Sequence, residues 1–326
     1  MGIEALLSGA GGNQAKPPDP IASAHNNGRR SERRRILVLH NACPAMLSYR
    51  HAFHAGNPAD VLKHFVLVEL LQHLNQKDKP YWYIDTHAGA GGYALDSGFA
   101  AKNAEYAAGI SKLWSAPDLP APLATYVDLV RAFNSGPKLR AYPGSPMIAR
   151  ALLREDDRMR LFELHTADNK LLNAAFAESG RTVKIEKSDG FSGLRTQLPP
   201  PPRRALVLID PPYEIREDYR LAFETLRDAN TRFPSGTYCL WYPQLHRSES
   251  RDLPAKLKRL PVAAWLNVSL TTRRPSPDGF GMHGSGLFIV NPPWTLPGTL
   301  KTVLPWLTRT LAIDDGAKFE LEFKIP

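Results

Sequence analysis

Cysteine is nearly absent: the chain has two in 326 residues, Cys43 and Cys239. Two thiols in dissimilar contexts, with no ligand spacing, give neither a disulfide framework nor a zinc site, so no metal is expected and a reducing cytoplasm fits. Long apolar runs are missing as well. The longest, such as residues 205–209, fall far short of the roughly 18 to 20 residues that crossing a bilayer requires, which leaves no membrane association to expect. Acidic residues are outnumbered, 32 against 41 lysines and arginines, for a net charge of +9. That balance favours polyanionic partners through attraction to phosphates, although a basic, solvated surface reads equally well from charge alone. The glycine-rich stretch "DTHAGAGGY" lacks the Lys-Ser/Thr ending of a phosphate-cradling loop, which argues against a nucleoside triphosphatase.

What the chain does have is organised in two parts. Residues 1–45 are rich in Gly, Pro, Asn and Arg without an apolar period, so a flexible basic arm is expected, with "RRSERRR" as either a nucleic-acid tail or a solvated charge run. Met46 opens the patterned part, residues 46–326, and is a candidate natural start, with the preceding stretch as translated leader. From Asn57, a cap residue ahead of Pro58, apolar residues recur at helical spacing to Leu74 and predict an amphipathic helix. Short apolar runs at 81–84, 160–162, 182–185, 205–209, 237–241, 263–270 and 286–290 read as strands, mostly separated by helical pattern. This alternation predicts an α/β fold with a doubly wound, mostly parallel sheet closed by a terminal hairpin, one strand of which runs antiparallel. Strand two begins far later than one crossover helix requires. Residues 94–143, with helical patterning, are therefore expected as a small inserted helical subdomain at the mouth of a site.

Candidate chemistry collects at the carboxyl ends of these strands, where open sheets bind ligands. The turn at Gly89 lets backbone approach a ligand, or is simply a tight turn. Glu163 ends strand two, where a carboxylate can accept from both hydroxyls of a ribose; a helix-start carboxylate is the alternative. Asp189 and Gly190, after strand three, can meet an adenine edge and let its ring come close, or form an ordinary Asp-Gly turn. Strand four runs into "LIDPPYE". Asp210 and the Pro211 carbonyl supply acceptors for an exocyclic amine, the prolines offer no competing N–H, and Tyr213 supplies a ring face for stacking. A second copy, "VNPPW", follows the last strand. On the antiparallel reading its Asn291 faces the opposite edge of the sheet, and Trp294 is expected to pack.

"MLSYRHAFHAGNPADVLKHF", "DTHAGAGGY", "YPGSP", "ELH", "DG", "LIDPPYE", "GTYCLWYP" and "VNPPW" occur in the order found in the RlmJ family, the 23S ribosomal RNA adenine-N6 methyltransferases, which this chain resembles from Met46 almost to its end. The resemblance implies a Rossmann-like methyltransferase sheet with a helical insertion and S-adenosylmethionine as methyl donor. It implies that Lys63, His64, His87, Ser145, Glu163, Asp189 and Gly190 line the cofactor pocket, beside Gly89, and that Asp210 is both the catalytic acceptor and a donor contact. It further makes Tyr49 and His51 candidates for contact with RNA or for closing over the donor; without it, His51, His54 and His64 read equally well as structural histidines. The expected partner is 23S ribosomal RNA and the expected state a monomer in the cytoplasm. A DNA adenine methyltransferase, or a non-catalytic RNA-binding assembly factor on the same scaffold, is the competing expectation.

Overall fold

Residues 205–209, apolar at every position, form a strand buried at every position, and the sheet is arranged around it. The structure is a computed structural model that describes residues 54–95 and 104–325. The expected arm, Met46, Tyr49 and His51 lie outside these residues. Among the described residues the strands are β1 (Trp82–Asp85), β2 (Gly92–Ala94), β3 (Ala141–Pro143), β4 (Arg158–Phe162), β5 (Val183–Glu186), β6 (Ala205–Ile209), β7 (Thr237–Gln244), β8 (Trp265–Thr271), β9 (Gly284–Val290) and β10 (Lys318–Lys324). The helices are α1 (Pro58–Asn75), α2 (Ile110–Trp114), α3 (Ala121–Ala132), α4 (Ser145–Leu152), α5 (Thr166–Ala175), α6 (Gly190–Gln197), α7 (Arg216–Arg232), α8 (Ser248–Leu257) and α9 (Leu296–Leu311).

Eight strands make one sheet in the order β10-β8-β9-β7-β6-β1-β4-β5. β5, β4, β1, β6 and β7 are parallel, and β9 enters antiparallel between β7 and β8. The doubly wound sheet and its terminal hairpin are thus as expected. β10, an exposed edge strand paired antiparallel with β8, adds an element beyond the expectation.

Alternation along β6 divides the core. Leu206 and Leu208 face α1, α4 and α9, whereas Ala205, Val207 and Ile209 face α6, α7 and α8. Between β1 and β4 the short strands β2 and β3 pair antiparallel, and the chain between them carries α2 and α3. α3 buries Leu123, Tyr126, Val127 and Val130, a single helical stripe.

One expectation about the first helix is corrected. Asn57 does cap α1, its side chain accepting from the Asp60 amide at 3.0 Å. The helix is not amphipathic in its setting, however: every residue from Ala59 to Val68 is buried, including Asp60, Lys63 and His64. It is sandwiched between the sheet at β7 and β9 and the helices α3 and α4, so even its polar residues face protein.

Candidate active site

Parallel strands deliver their carboxyl ends to one edge, and the register sets which ends meet. Asp85 of β1 lies opposite Leu161 of β4 and Leu208 of β6. The next amide, Thr86 N–H, donates to the Leu208 carbonyl at 3.1 Å. Asp210, two residues beyond Leu208, therefore stands beside the glycine turn.

A cation from α1 reaches this point. Lys63 Nζ donates to Asp210 Oδ2 at 2.6 Å and pairs with Asp60 Oδ1 at 2.9 Å, its side chain only 4% exposed. Burial alone pushes the Lys63 ammonium down, but the Asp210 and Asp60 carboxylates outweigh it and hold it well above the usual lysine value. Asp60 is itself fixed, accepting from the Gly56 amide through Oδ2 at 2.9 Å. The clamp uses one Asp210 oxygen. Among the described residues no hydrogen bond is donated to the other, Oδ1.

The wall beside Asp210 is aromatic. Tyr213 takes a left-handed backbone conformation at φ 53°, donates its hydroxyl to the Trp241 carbonyl at 2.7 Å and packs against Tyr219 and Trp241. It is 2% exposed, so the open stacking face expected of it is corrected: the ring is a fixed wall in this state. The buried indole Nε1 of Trp241 has no hydrogen-bond partner among the described residues, and Lys63 Nζ lies 5.7 Å from the centroid of its ring.

On the other side of the turn, Glu163 is held by two backbone donors, Gly89 N–H at 2.8 Å and His165 N–H at 2.6 Å. Burial lifts its carboxyl to about 7 despite those bonds. Gly89 has φ 61°, and a Cβ there would sit 2.3 Å from the Tyr93 hydroxyl oxygen, so both conformation and space require glycine. His87 is pushed down to about 4 by burial, against the pull of Asp210 and Asp189, and its ring meets Phe191 edge-on at 4.8 Å.

Some expected residues have different immediate tasks. Asp189 caps α6, accepting from the Phe191 and Ser192 amides at 3.2 and 3.1 Å. A Cβ on Gly190 would lie 1.8 Å from the Thr86 carbonyl oxygen. What glycine leaves room for at this position is the β1 turn, a correction to the expectation of space for a ring. His64 shares a 2.7 Å hydrogen bond with Tyr142, whose hydroxyl meets that of Tyr126 at 2.9 Å.

Sequence reading missed Asp85. Ser145 Oγ and the Tyr83 hydroxyl both donate to its Oδ2 at 2.7 Å, and burial raises it to about 6 against those bonds. An acid as the last residue of the first strand, directly before the glycine turn, was the available signal. Asp60 was likewise legible only as an isolated acid three residues before Lys63 on an apolar helix.

The second Pro-Pro motif behaves as its strand direction predicts. Asn291 follows antiparallel β9 and donates both amide hydrogens to the carbonyls of Pro234 and Gly236, each at 2.7 Å, just ahead of β7. It is thus at the amino edge, away from Asp210. Trp294 does not pack: it is 77% exposed, because α9 begins beyond it and turns its own apolar face, not this ring, toward the sheet.

The strand order, glycine turn and acidic strand ends together define a Rossmann-like methyltransferase fold. The chain belongs to the family described as ribosomal RNA large subunit methyltransferase D, RlmJ, whose model matches residues 78–323. Ribosomal RNA large subunit methyltransferase J of Escherichia coli is 47% identical over 262 residues, covering 80% of this chain and 93% of that protein. Its namesake in Haemophilus influenzae is 43% identical over 282 residues, covering 86% and 100%. A crystal structure of a Legionella pneumophila protein, 35% identical, superposes with a TM-score of 0.76 over 82% of this chain and 98% of the other.

Proposed function

We propose that the protein transfers a methyl group from S-adenosylmethionine to the exocyclic N6 of an adenine in 23S ribosomal RNA, in the cytoplasm. The observation that carries this reading is the state of Asp210: Oδ2 is clamped by Lys63, while among the described residues none donates to Oδ1, beside the Pro-Pro turn. The names of the relatives supply the substrate class.

The residues suit the donor. Glu163 offers carboxylate oxygens to ribose hydroxyls, and the Gly89 backbone can come close without a side chain. His87, neutral at physiological pH, adds no charge to repel a sulfonium. When bound, S-adenosylmethionine supplies an electrophilic methyl. The chain's own work is then to hold the amine. Asp210 Oδ1 and the Pro211 carbonyl accept from N6, drawing its lone pair out of the ring and fixing its direction. Positive charge grows on nitrogen during transfer, and the Asp210 carboxylate stabilises it and accepts the released proton directly or through water. Lys63 is a positioning residue that fixes Asp210 through Oδ2. To admit a flipped adenine, the crevice uses Tyr213 as a rigid side wall. Tyr49 and His51 are assigned here to contact with RNA or to closure over the donor.

The test is methylation of 23S RNA taken from a strain lacking the gene, with mapping of the modified nucleotide by mass spectrometry. One N6-methyladenine appearing only with protein and donor is expected. Turnover on a DNA duplex and none on RNA would overturn the reading.

A further inference from the structure

The loop between β8 and β9 rises at the same sheet edge as Asp210. β7 runs parallel to β6 and ends at Gln244, which pairs with Gly284 at the start of β9; the His283 amide donates to the Gln244 carbonyl at 3.1 Å. Gln244 is three residues beyond Trp241, whose carbonyl holds Tyr213. At about 3.3 Å per strand residue the loop therefore begins about 10 Å further out along the strand direction than Trp241, and β9 and β8 stand two and three strands over from β6 at about 4.8 Å each, so the loop is about one to two nucleotides from Asp210.

Phe280 sits at the tip of this loop, 78% exposed. Leaving a phenylalanine in water forgoes the free energy of burying it, so a chain that builds a support for one asks for an explanation. Here the support is explicit. Gly279 and Gly281 flank it at φ 74° and 80°. The Phe280 amide donates to Asp278 Oδ1 at 3.0 Å, and the Gly279 amide to the Ser276 carbonyl at 2.9 Å. Arg273 braces the return of the loop, donating through Nη2 to the Met282 carbonyl at 2.9 Å. Gly279 rests against the ring of His246, from the loop after β7.

Cations and acids alternate around the loop. His283 is lowered by burial and then by Arg273, His246 and Lys318. Arg247 follows His246 in the loop after β7. Arg274 is paired to Asp315, Lys318 to Glu320, and Asp278 is held within the turn, while Arg273 lies against Gly281 with its guanidinium bonded to the Met282 carbonyl. Trp294 is as exposed as Phe280 but lies at the opposite sheet edge, where no site chemistry collects.

We infer that Phe280 is a stacking platform for an unpaired base of the substrate RNA near the target adenine, with Arg273, beside it, and Arg247, next in the chain to His246, available to the phosphates. The inference rests on RNA being the substrate. A ring carried on a hydrogen-bonded turn, with an arginine beside it and at the catalytic edge, matches how proteins hold single-stranded nucleic acid: a base stacks on the ring while cations follow the backbone.

Steady-state methylation of a 23S RNA fragment with labelled donor tests this on the full chain. Phe280→Ala should raise the RNA KM about tenfold, within the range that loss of one base–aromatic stack produces, while kcat at saturating RNA and the donor Kd stay within about twofold. Phe280→Trp should restore the wild-type KM, and Trp294→Ala should leave it unchanged. An unaltered KM in Phe280→Ala, or a Phe280→Trp protein as impaired as the alanine variant, overturns the inference while leaving the methyltransferase reading intact. A wild-type protein that leaves the fragment unmethylated overturns both.

Discussion

Asp210 is held on one oxygen and, among the described residues, accepts nothing on the other, and the consequences can be separated experimentally. Asp210→Asn keeps the shape and an acceptor but gives up the negative charge. Donor affinity by calorimetry should stay close to wild type, whereas single-turnover methylation should slow by about 100-fold to 10,000-fold, the span typical of a lost general base. Lys63 keeps Asp60 as a counter-ion in that variant, so the fold should persist. Glu163 gives a pH signature. Its folded value, about 7, exceeds that of an exposed glutamate, so folding takes up its proton. Its contribution to stability is therefore fully present at low pH and is lost as pH rises through about 7. Donor binding runs the other way, since the ionised carboxylate is the better acceptor for ribose hydroxyls. Lowering pH from 8 to 6 should weaken donor affinity in the wild type, and Glu163→Gln should flatten that dependence; a wild-type donor Kd that does not change over this range counts against the assignment. At this scale the sequence offered candidate residues at the strand ends but not how they are committed to one another. Nothing in the spacing of Lys63 and Asp210, 147 residues apart, says they form an ion pair.

At the scale of elements, strand direction separates two motifs that look alike in sequence. "DPPY" follows a parallel strand and "NPPW" an antiparallel one, and the amide of Asn291 ties the loop ahead of β7 through two donated bonds. Asn291→Ala leaves two carbonyls unpaired and places alanine at φ 53°, and should cost about 1–3 kcal/mol in denaturant unfolding. Asn291→Asp should be no better, because a carboxylate cannot donate to them. Both should keep kcat per folded molecule, in contrast to Asp210→Asn. The parallel strands were legible because buried strands read as continuous apolar runs, as β6 does. α1 was legible as a helix and misjudged in its setting, since apolar spacing reports one buried face and cannot report that the other face is also covered. β10 escaped because it is an edge strand whose Phe319, Leu321 and Phe323 alternate with charged residues, with only Leu321 partly buried against the core.

The whole molecule carries a net charge of +9, and an RNA complex should be correspondingly sensitive to salt. The logarithm of RNA affinity should fall linearly with the logarithm of salt concentration, with a slope of about −0.7 per phosphate contacted. Arg247→Ala should make that slope shallower by about one such contact, while Phe280→Ala should lower affinity at every salt concentration without changing the slope. Titrations by fluorescence anisotropy from 50 to about 300 mM salt distinguish the two. Identical slopes in the wild type and Arg247→Ala would remove Arg247 from the interface.

The pairing of Lys63 with both Asp60 and Asp210 also has a meaning in time. A ribosome adding about 5–20 residues per second takes roughly 7–30 s to go from the lysine to its distant aspartate. Through that interval the α1 segment is an apolar stretch with a cation in its middle and no Asp210 to meet it. Asp60, three residues earlier, is synthesised before the lysine and can neutralise it within the helix from the first moment. The same carboxylate that shares Lys63 with Asp210 in the folded protein is thus the first counter-ion it can meet during synthesis. Asp60→Asn should therefore reduce the yield of soluble protein made at 37 °C more than it reduces the activity of the molecules that do fold.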